Sequence, residues 1–390
     1  MAENSAHSPQ IPTRRRRGLP LLVGLVLVCL VILATLWISI NRLDRPLKPA
    51  FIGDSSRLKQ TVIVPTLDTP MPKGKNVIWC SSFQIAWNHL KSDIIKAPIQ
   101  LHGAQDVAGR LNVAKESEAD LPKDSYYATA GFVNDGIVQK IQQEMAKRFP
   151  AVPPPTFQTA QMSGAIVSYA YLQANAKFNL PFFAIPKKVQ FTDSAGKRID
   201  ITAFGIKKED EYRYYQLRAQ VQVLYNDQRR FGRQQGECVI DLCRDLPTMV
   251  VLASVKPKGN LSETMQYVET VVAKQFKEEG TAGNYGELGP DSALTVPNIY
   301  WSIDHHYRDL EGKTLQTNTR SNSLIDAFQT IHFRLDRNGA ELKSEAKLEV
   351  NSISPDYIFD HPFLLYMKQR NAARPFFVMW VDNAELLDKR

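Results

Sequence analysis

The sequence predicts an α+β fold with large mixed or antiparallel β-sheets and few helices. Three observations carry this. Short β-branched or aromatic runs bounded by Gly, Pro or Asp dominate the chain after Gly164. Helical periodicity is confined to isolated stretches, clearest at Gly136–Phe149 and Leu261–Glu278. The two kinds of element do not alternate as a βαβ chain would, and no repeat is present.

In chain order, residues 1–18 form a basic tail carrying Arg14, Arg15, Arg16 and Arg17. Leu19 to Ile40 is an uncharged apolar run of 22 residues, about 33 Å as a helix, which matches a bilayer core. The exit Trp37-Ile38-Ser39-Ile40-Asn41 has no small-x-small site, so the run reads as an uncleaved anchor, residues 19–40, rather than a signal peptide. Arg14–Arg17 outweigh the cations on the far side. The positive-inside rule therefore puts the N-terminus in the cytoplasm and the C-terminal bulk outside, periplasmic or extracellular. Residues 41–75 hold five prolines and read as a linker. The folded domain is expected over 76–390.

Within it, Asn76–Leu90 reads as a strand and a short helix, Ala104–Ala114 as a weak helix, and Tyr126–Val133 as a strand. Gly136–Phe149 spaces Ile137, Ile141, Met145 and Phe149 at helical intervals, and the helix ends before Pro153-Pro154-Pro155. Strands follow at Ala165–Leu172, Ile199–Phe204, Gln216–Tyr225, Glu237–Leu242 and Met249–Val255. Asn260 caps the next helix, whose face is Met265, Val268, Val272 and Phe276. Ala293–Ile303, Gln329–Leu335, Phe363–Met367 and Phe376–Val381 complete the strands.

The chain has 390 residues, a net charge of +8, 44% hydrophobic residues and a mean hydropathy of −0.28. These values exclude collagen, a disordered tail and a multi-span membrane protein. Half of the charge surplus lies in residues 1–45, so no nucleic-acid partner is implied. Four cysteines are too few for a disulfide scaffold. Gly312-Lys313-Thr314 lacks the upstream glycine of a phosphate loop, since position 307 is Tyr307. Cys238 and Cys243 are five apart in a strand region and face opposite ways, as do the adjacent His305 and His306. Ser163 lacks the nucleophile-elbow glycines. No enzyme activity, cofactor or metal site is expected.

One segment is written differently. From Gly339 to Val350, Ala340, Leu342, Ser344, Ala346, Leu348 and Val350 fall on one side of a strand. Glu341, Lys343, Glu345, Lys347 and Glu349 fall on the other. A loop, Asn351-Ser352-Ile353-Ser354-Pro355, follows.

The chain resembles the serpin superfamily over most of residues 76–387. Asn76–Ile85 is similar to the family's first strand-to-helix signature, Phe191–Lys197 to its mid-chain loop, and Leu294–Ile299 to its Val-x-Leu-Pro-Lys-Phe strand. Phe359-Asp-His-Pro-Phe-Leu-Leu365 and Phe376–Asp382 are similar to its C-terminal pair, with Phe359 and His361 one residue closer together than usual. The resemblance implies a reactive loop that a serine or cysteine protease cleaves, after which the loop inserts into the large sheet and traps the acyl-enzyme. It implies a hinge at Gly339, Ala340, Leu342, Ser344 and Ala346, and a scissile region at Asn351, Ser352, Ile353 and Ser354. The departures argue against trapping. Leu342 is large where the hinge wants small residues, the loop is about two residues short, and the helix set is reduced. Two functions stay open: a membrane-anchored, extracytoplasmic interaction module of protease-inhibitor type, and a working suicide-substrate inhibitor.

Overall fold

Three β-sheets organise the chain in a computed structural model. It describes residues 47–390, excluding 123–124, 151, 153, 158–164, 176–177, 208–210, 228–235, 280–285, 287, 316–321 and 339–355. The anchor at Leu19–Ile40, Arg14–Arg17 and the loop 339–355 therefore lie outside the described residues. Among the described residues no helix is long and apolar enough to cross a membrane.

The largest sheet by strand residues, although six-stranded, has the order β1 (Phe51–Asp54), β12 (Ile299–His306), β14 (Asn322–Leu335), β5 (Ile166–Asn175), β4 (Tyr126–Phe132), with β13 (Lys313–Leu315) added on β14. A seven-stranded sheet runs β2 (Thr61–Ile63), β3 (Asn76–Cys80), β17 (Pro375–Val381), β16 (Phe363–Gln369), β10 (Thr248–Ser254), β9 (Cys238–Asp241), β8 (Gln222–Asn226). The third sheet is β15 (Tyr357–Ile358), β11 (Leu294–Pro297), β7 (Arg198–Ile206), β6 (Phe183–Thr192). The helices are α1 (Ser81–His89), α2 (Gln105–Val113), α3 (Ile137–Arg148), α4 (Glu211–Gln220) and α5 (Leu261–Glu279). The expected α+β class with mixed sheets and a reduced helix set is what the chain adopts.

The seven-stranded sheet is buried on both faces, which explains why Phe376–Val381 reads as an unbroken apolar run. Phe363, Leu365, Phe377 and Met379 face the main core, while Leu364, Tyr366, Val378 and Trp380 pack toward α5. The ladder pairs Leu365 with Met379 and Met367 with Phe377, so the core-facing residues of the two strands lie opposite each other. Phe377 stacks on Phe333 of β14 at 4.6 Å, and Trp301 of β12 lies 6.1 Å away. That aromatic cluster joins the largest sheet to the second one.

Four expectations change. The linker assigned to 41–75 is packed chain from Phe51 onward: β1 pairs parallel with β12 and β2 parallel with β3. The Glu385 carboxylate holds the connection, accepting from Lys59 N, Gln60 N and Thr61 Oγ1. Gln216–Gln220 is helix, not strand, because Tyr214 and Leu217 anchor α4 in the core and Gln220 exchanges hydrogen bonds with Leu180. Ala293–Ile303 is two strands in two sheets. The switch is Pro297-Asn298, where Asn298 Nδ2 donates to Thr202 Oγ1. Phe276 leaves the apolar stripe of α5 and is 61% exposed, beside Gln222 and Leu224 of the edge strand β8. Asn260 caps α5 as expected, accepting from Glu263 N at 2.8 Å.

Candidate functional site: the central seam and the ends of the 339–355 segment

The centre of the largest sheet is its only parallel pairing between long strands among the described residues. β14 and β5 run side by side from Leu324↔Ile166 to Arg334↔Asn175, about 30 Å. Their outer neighbours, β12 and β4, are antiparallel to them. A strand returning from the C-terminal end of β14 into this seam would lie antiparallel to both sides.

Both faces of the seam are closed. On one, Tyr169 and Phe328 sit opposite each other in register, their rings stacked at 6.0 Å. Phe157 meets Tyr169 edge-on, Phe149 lies 4.5 Å from Tyr171, and α3 adds Ile141 and Met145. Tyr169 is 1% exposed, and burial pushes its hydroxyl far above the usual tyrosine range. On the other face, Gln329 of β14 is fully buried and donates to Ser82 Oγ at 2.9 Å while accepting from the Tyr307 hydroxyl at 2.7 Å. Ser82 begins α1, so the Asn76–Ile85 turn lies directly beneath the seam.

The 17-residue segment 339–355 leaves this sheet and returns to another. At its start, Asp336 accepts from Arg334 Nε at 2.7 Å and from Asn338 N at 2.8 Å, while Phe182 N donates to Arg337 O. At its end, Asp356 accepts from Ala293 N at 2.9 Å and Tyr357 N donates to Ala293 O, placing β15 beside β11. The residues expected to form the hinge (Gly339, Ala340, Leu342, Ser344, Ala346) and the scissile region (Asn351, Ser352, Ile353, Ser354) lie between, outside the described residues. The expected strand over Ala340–Val350 lies there too.

The other chemistry-bearing residues have structural surroundings. Cys80, Cys238 and Cys243 are free and buried, and burial raises Cys80 and Cys238 to about 12, so they are held as neutral thiols. Gly312 turns with φ +71° and leads into β13. Among the described residues no group of His, Cys, Asp and Glu is arranged to hold a metal ion. The Gln329–Ser82–Tyr307 cluster was not legible in the sequence, because its members are 22 to 247 residues apart.

His305 joins the N-terminal strand to the sheet, with Nδ1 2.8 Å from Ser55 Oγ. Burial, helped by the charge of His306, lowers its pKa to about 4. An unfolded histidine titrates near 6.5, so the unfolded chain binds the extra proton between these values. His305 therefore contributes its stability in full above pH 6.5 and loses it as pH falls toward 4, by at most about 3 kcal/mol. Burial lowers His332 in the same direction. At His89 burial acts downward, but hydrogen bonds to Asp93 and Glu118 outweigh it, so its contribution is lost as pH rises instead. Denaturant titrations of the wild type and His305→Gln should show a shallower fall between pH 6.5 and 4.5 in the variant. Equal slopes would remove His305 from the account.

No family model and no curated protein matches the chain. Solved structures do, among them the following two. One is native protease nexin-1 with heparin, with a TM-score of 0.45 and 9% identity, covering 79% of this chain and 92% of that one. The other is Serpin48, a highly specific serpin of the insect Tenebrio molitor, with a TM-score of 0.43, 12% identity and the same coverages.

Proposed function

We propose that the chain is a membrane-anchored, extracytoplasmic serpin-like protein that acts through protein–protein contact at the segment 339–354, with a serine or cysteine protease as the expected partner class. The supporting observation is the attachment of that segment. Its 16 residues follow the central strand β14 and lead to β15 of another sheet, as a bait loop requires. The closed seam argues that cleavage ends in release rather than trapping. A second reading, a working suicide-substrate inhibitor, is favoured by the parallel β14–β5 pair, which offers a returning strand two antiparallel neighbours. Incubation with a panel of serine and cysteine proteases, followed by a denaturing gel, separates the two. Cleavage within Asn351–Ser354 without a protease-sized adduct is expected; a covalent adduct establishes the second reading.

Leu19–Ile40 supplies the anchor in this proposal, with Arg14–Arg17 on the cytoplasmic side. Protease added outside intact cells should remove most of the chain. Replacing all four arginines by Gln should reduce that susceptible fraction several-fold. A fully protected C-terminal domain in the wild type would reverse the orientation.

A further inference from the structure

A basic face gathers where the chain joins the folded unit. Its cations come from distant segments and are linked by specific contacts. Arg390 donates to the Lys48 carbonyl, and Lys188 Nζ donates to the Lys389 carbonyl at 2.7 Å. Lys389 Nζ reaches the Glu385 carbonyl at 3.5 Å, and Lys59 N donates to the Glu385 carboxylate at 2.8 Å. Burial, with the nearby charge of Lys197 adding to it, lowers the Lys389 pKa. Lys48, Lys59, Lys188, Lys197, Lys389 and Arg390 are all exposed.

Four carboxylates lie among them, and each already accepts from neighbours. Glu385 takes the three donors of the 59–61 turn. Asp388 takes Thr202 Oγ1 and Arg390 Nε. Asp193 accepts from Ala195 N and Lys197 N, and Asp382 from Ser194 Oγ. These bonds leave the carboxylates charged, and Arg390 is ion-paired with Asp388 at 2.9 Å, so six cations against four carboxylates leave this face a surplus of two positive charges.

Lys48 stands eight residues after Ile40, the end of the apolar run. Eight residues reach at most about 28 Å, whatever path they take. A face tethered this closely meets a bilayer surface at high effective concentration. Five of the six cations are lysines, compact point charges suited to diffuse headgroup charge rather than to bidentate recognition.

We propose that this face (Lys48, Lys59, Lys188, Lys197, Lys389, Arg390) lies against the anionic phospholipid headgroups of the bilayer that holds residues 19–40. The proposal rests on the anchor reading above. Lipid phosphodiesters exchange their counterions for the ammonium groups, and the contact is screened by salt.

The full chain, reconstituted into vesicles, tests this. One set is pure phosphatidylcholine; the other holds about 30% phosphatidylglycerol, both at about 50 mM salt. Lysine-directed acylation read by mass spectrometry should fall at least about threefold at Lys188, Lys197 and Lys389 in the anionic vesicles only. Lys274, with a side chain 72% exposed on α5, serves as the reference. Shielding should vanish at about 0.5 M salt. The double variant Lys197→Gln/Lys389→Gln should lose the shielding of Lys188 while keeping its melting temperature. Equal labelling in both vesicles overturns the proposal. So does equal shielding in both, which would mean that another copy of the chain or another protein covers the face. Alkaline washing reports on the anchor separately. A chain stripped from both vesicles sinks the anchor reading alone, and salt-sensitive shielding in anionic vesicles would still support the basic face.

Discussion

Truncating Phe377 to Ala should remove roughly 3–5 kcal/mol of stability, and Phe363→Ala a similar amount. Both side chains are fully buried. Phe377 is the tighter case, because it touches two sheets at once through Phe333 and Trp301. Deleting its ring leaves a cavity lined by strands that belong to separate ladders, and neither sheet can shift inward alone. Phe363 stands edge-on to Phe359 at 5.4 Å, with Val381 as its ladder partner. A domain with 5–15 kcal/mol in total would lose a large part of its margin from either change. Phe276→Ala, at a largely exposed site on α5, should cost under about 0.5 kcal/mol. Urea titration of the three variants checks the ranking. Losses below about 1 kcal/mol at both Phe363 and Phe377 would contradict the packing described.

Much of the fold was legible because local signals agreed with the tertiary outcome. The stripe Ile137, Ile141, Met145, Phe149 forms α3 and its contacts, and the apolar runs Phe363–Met367 and Phe376–Val381 form the last two strands. The failures share a cause. Phe51–Asp54 and Thr61–Ile63 are short strands between prolines, and only parallel partners, 250 and 15 residues further along, make them strands. Gln216–Gln220 has β-compatible residues but is held helical by Leu180 and the core contacts of Leu217. Phe276 obeys the helical period, yet the period does not tell where the sheet beneath ends. At the candidate site, the alternation of 339–350 is legible in the sequence, and the seam beside β14 is not. The seam depends on Tyr169 meeting Phe328 and on Gln329 meeting Ser82, pairings that no local pattern encodes.

Cleavage in the 339–354 segment should leave the melting temperature within about 3 °C of the intact protein, because the severed strand does not enter the sheet. Insertion would bury the Leu342, Leu348 and Val350 side chains at about 1.5–3 kcal/mol each and add two ladder rows. In a domain of this size that corresponds to a rise of more than about 10 °C. Two obstacles oppose it. The first is the seam itself, where a new strand must part Tyr169 from Phe328 and strand Gln329 away from its partners on α1 and Tyr307. The second is charge. If Ala340, Leu342 and their set face the core, then Lys347 and Glu349, about ten residues along, arrive at the level of Tyr169, Tyr171 and Phe149. That face is buried aromatic surface rather than water, so an unpaired ammonium or carboxylate there is costly. The variant Lys347→Ala/Glu349→Ala, combined with Leu342→Ala, should therefore insert after cleavage and gain the 10 °C that the wild type lacks, whereas Leu342→Ala alone should not. If Leu342→Ala alone restores the gain, the bulky hinge residue is the barrier and the aromatic face is not. A wild-type protein that gains it unaided would show that the seam opens readily, and the suicide-substrate reading would then take precedence.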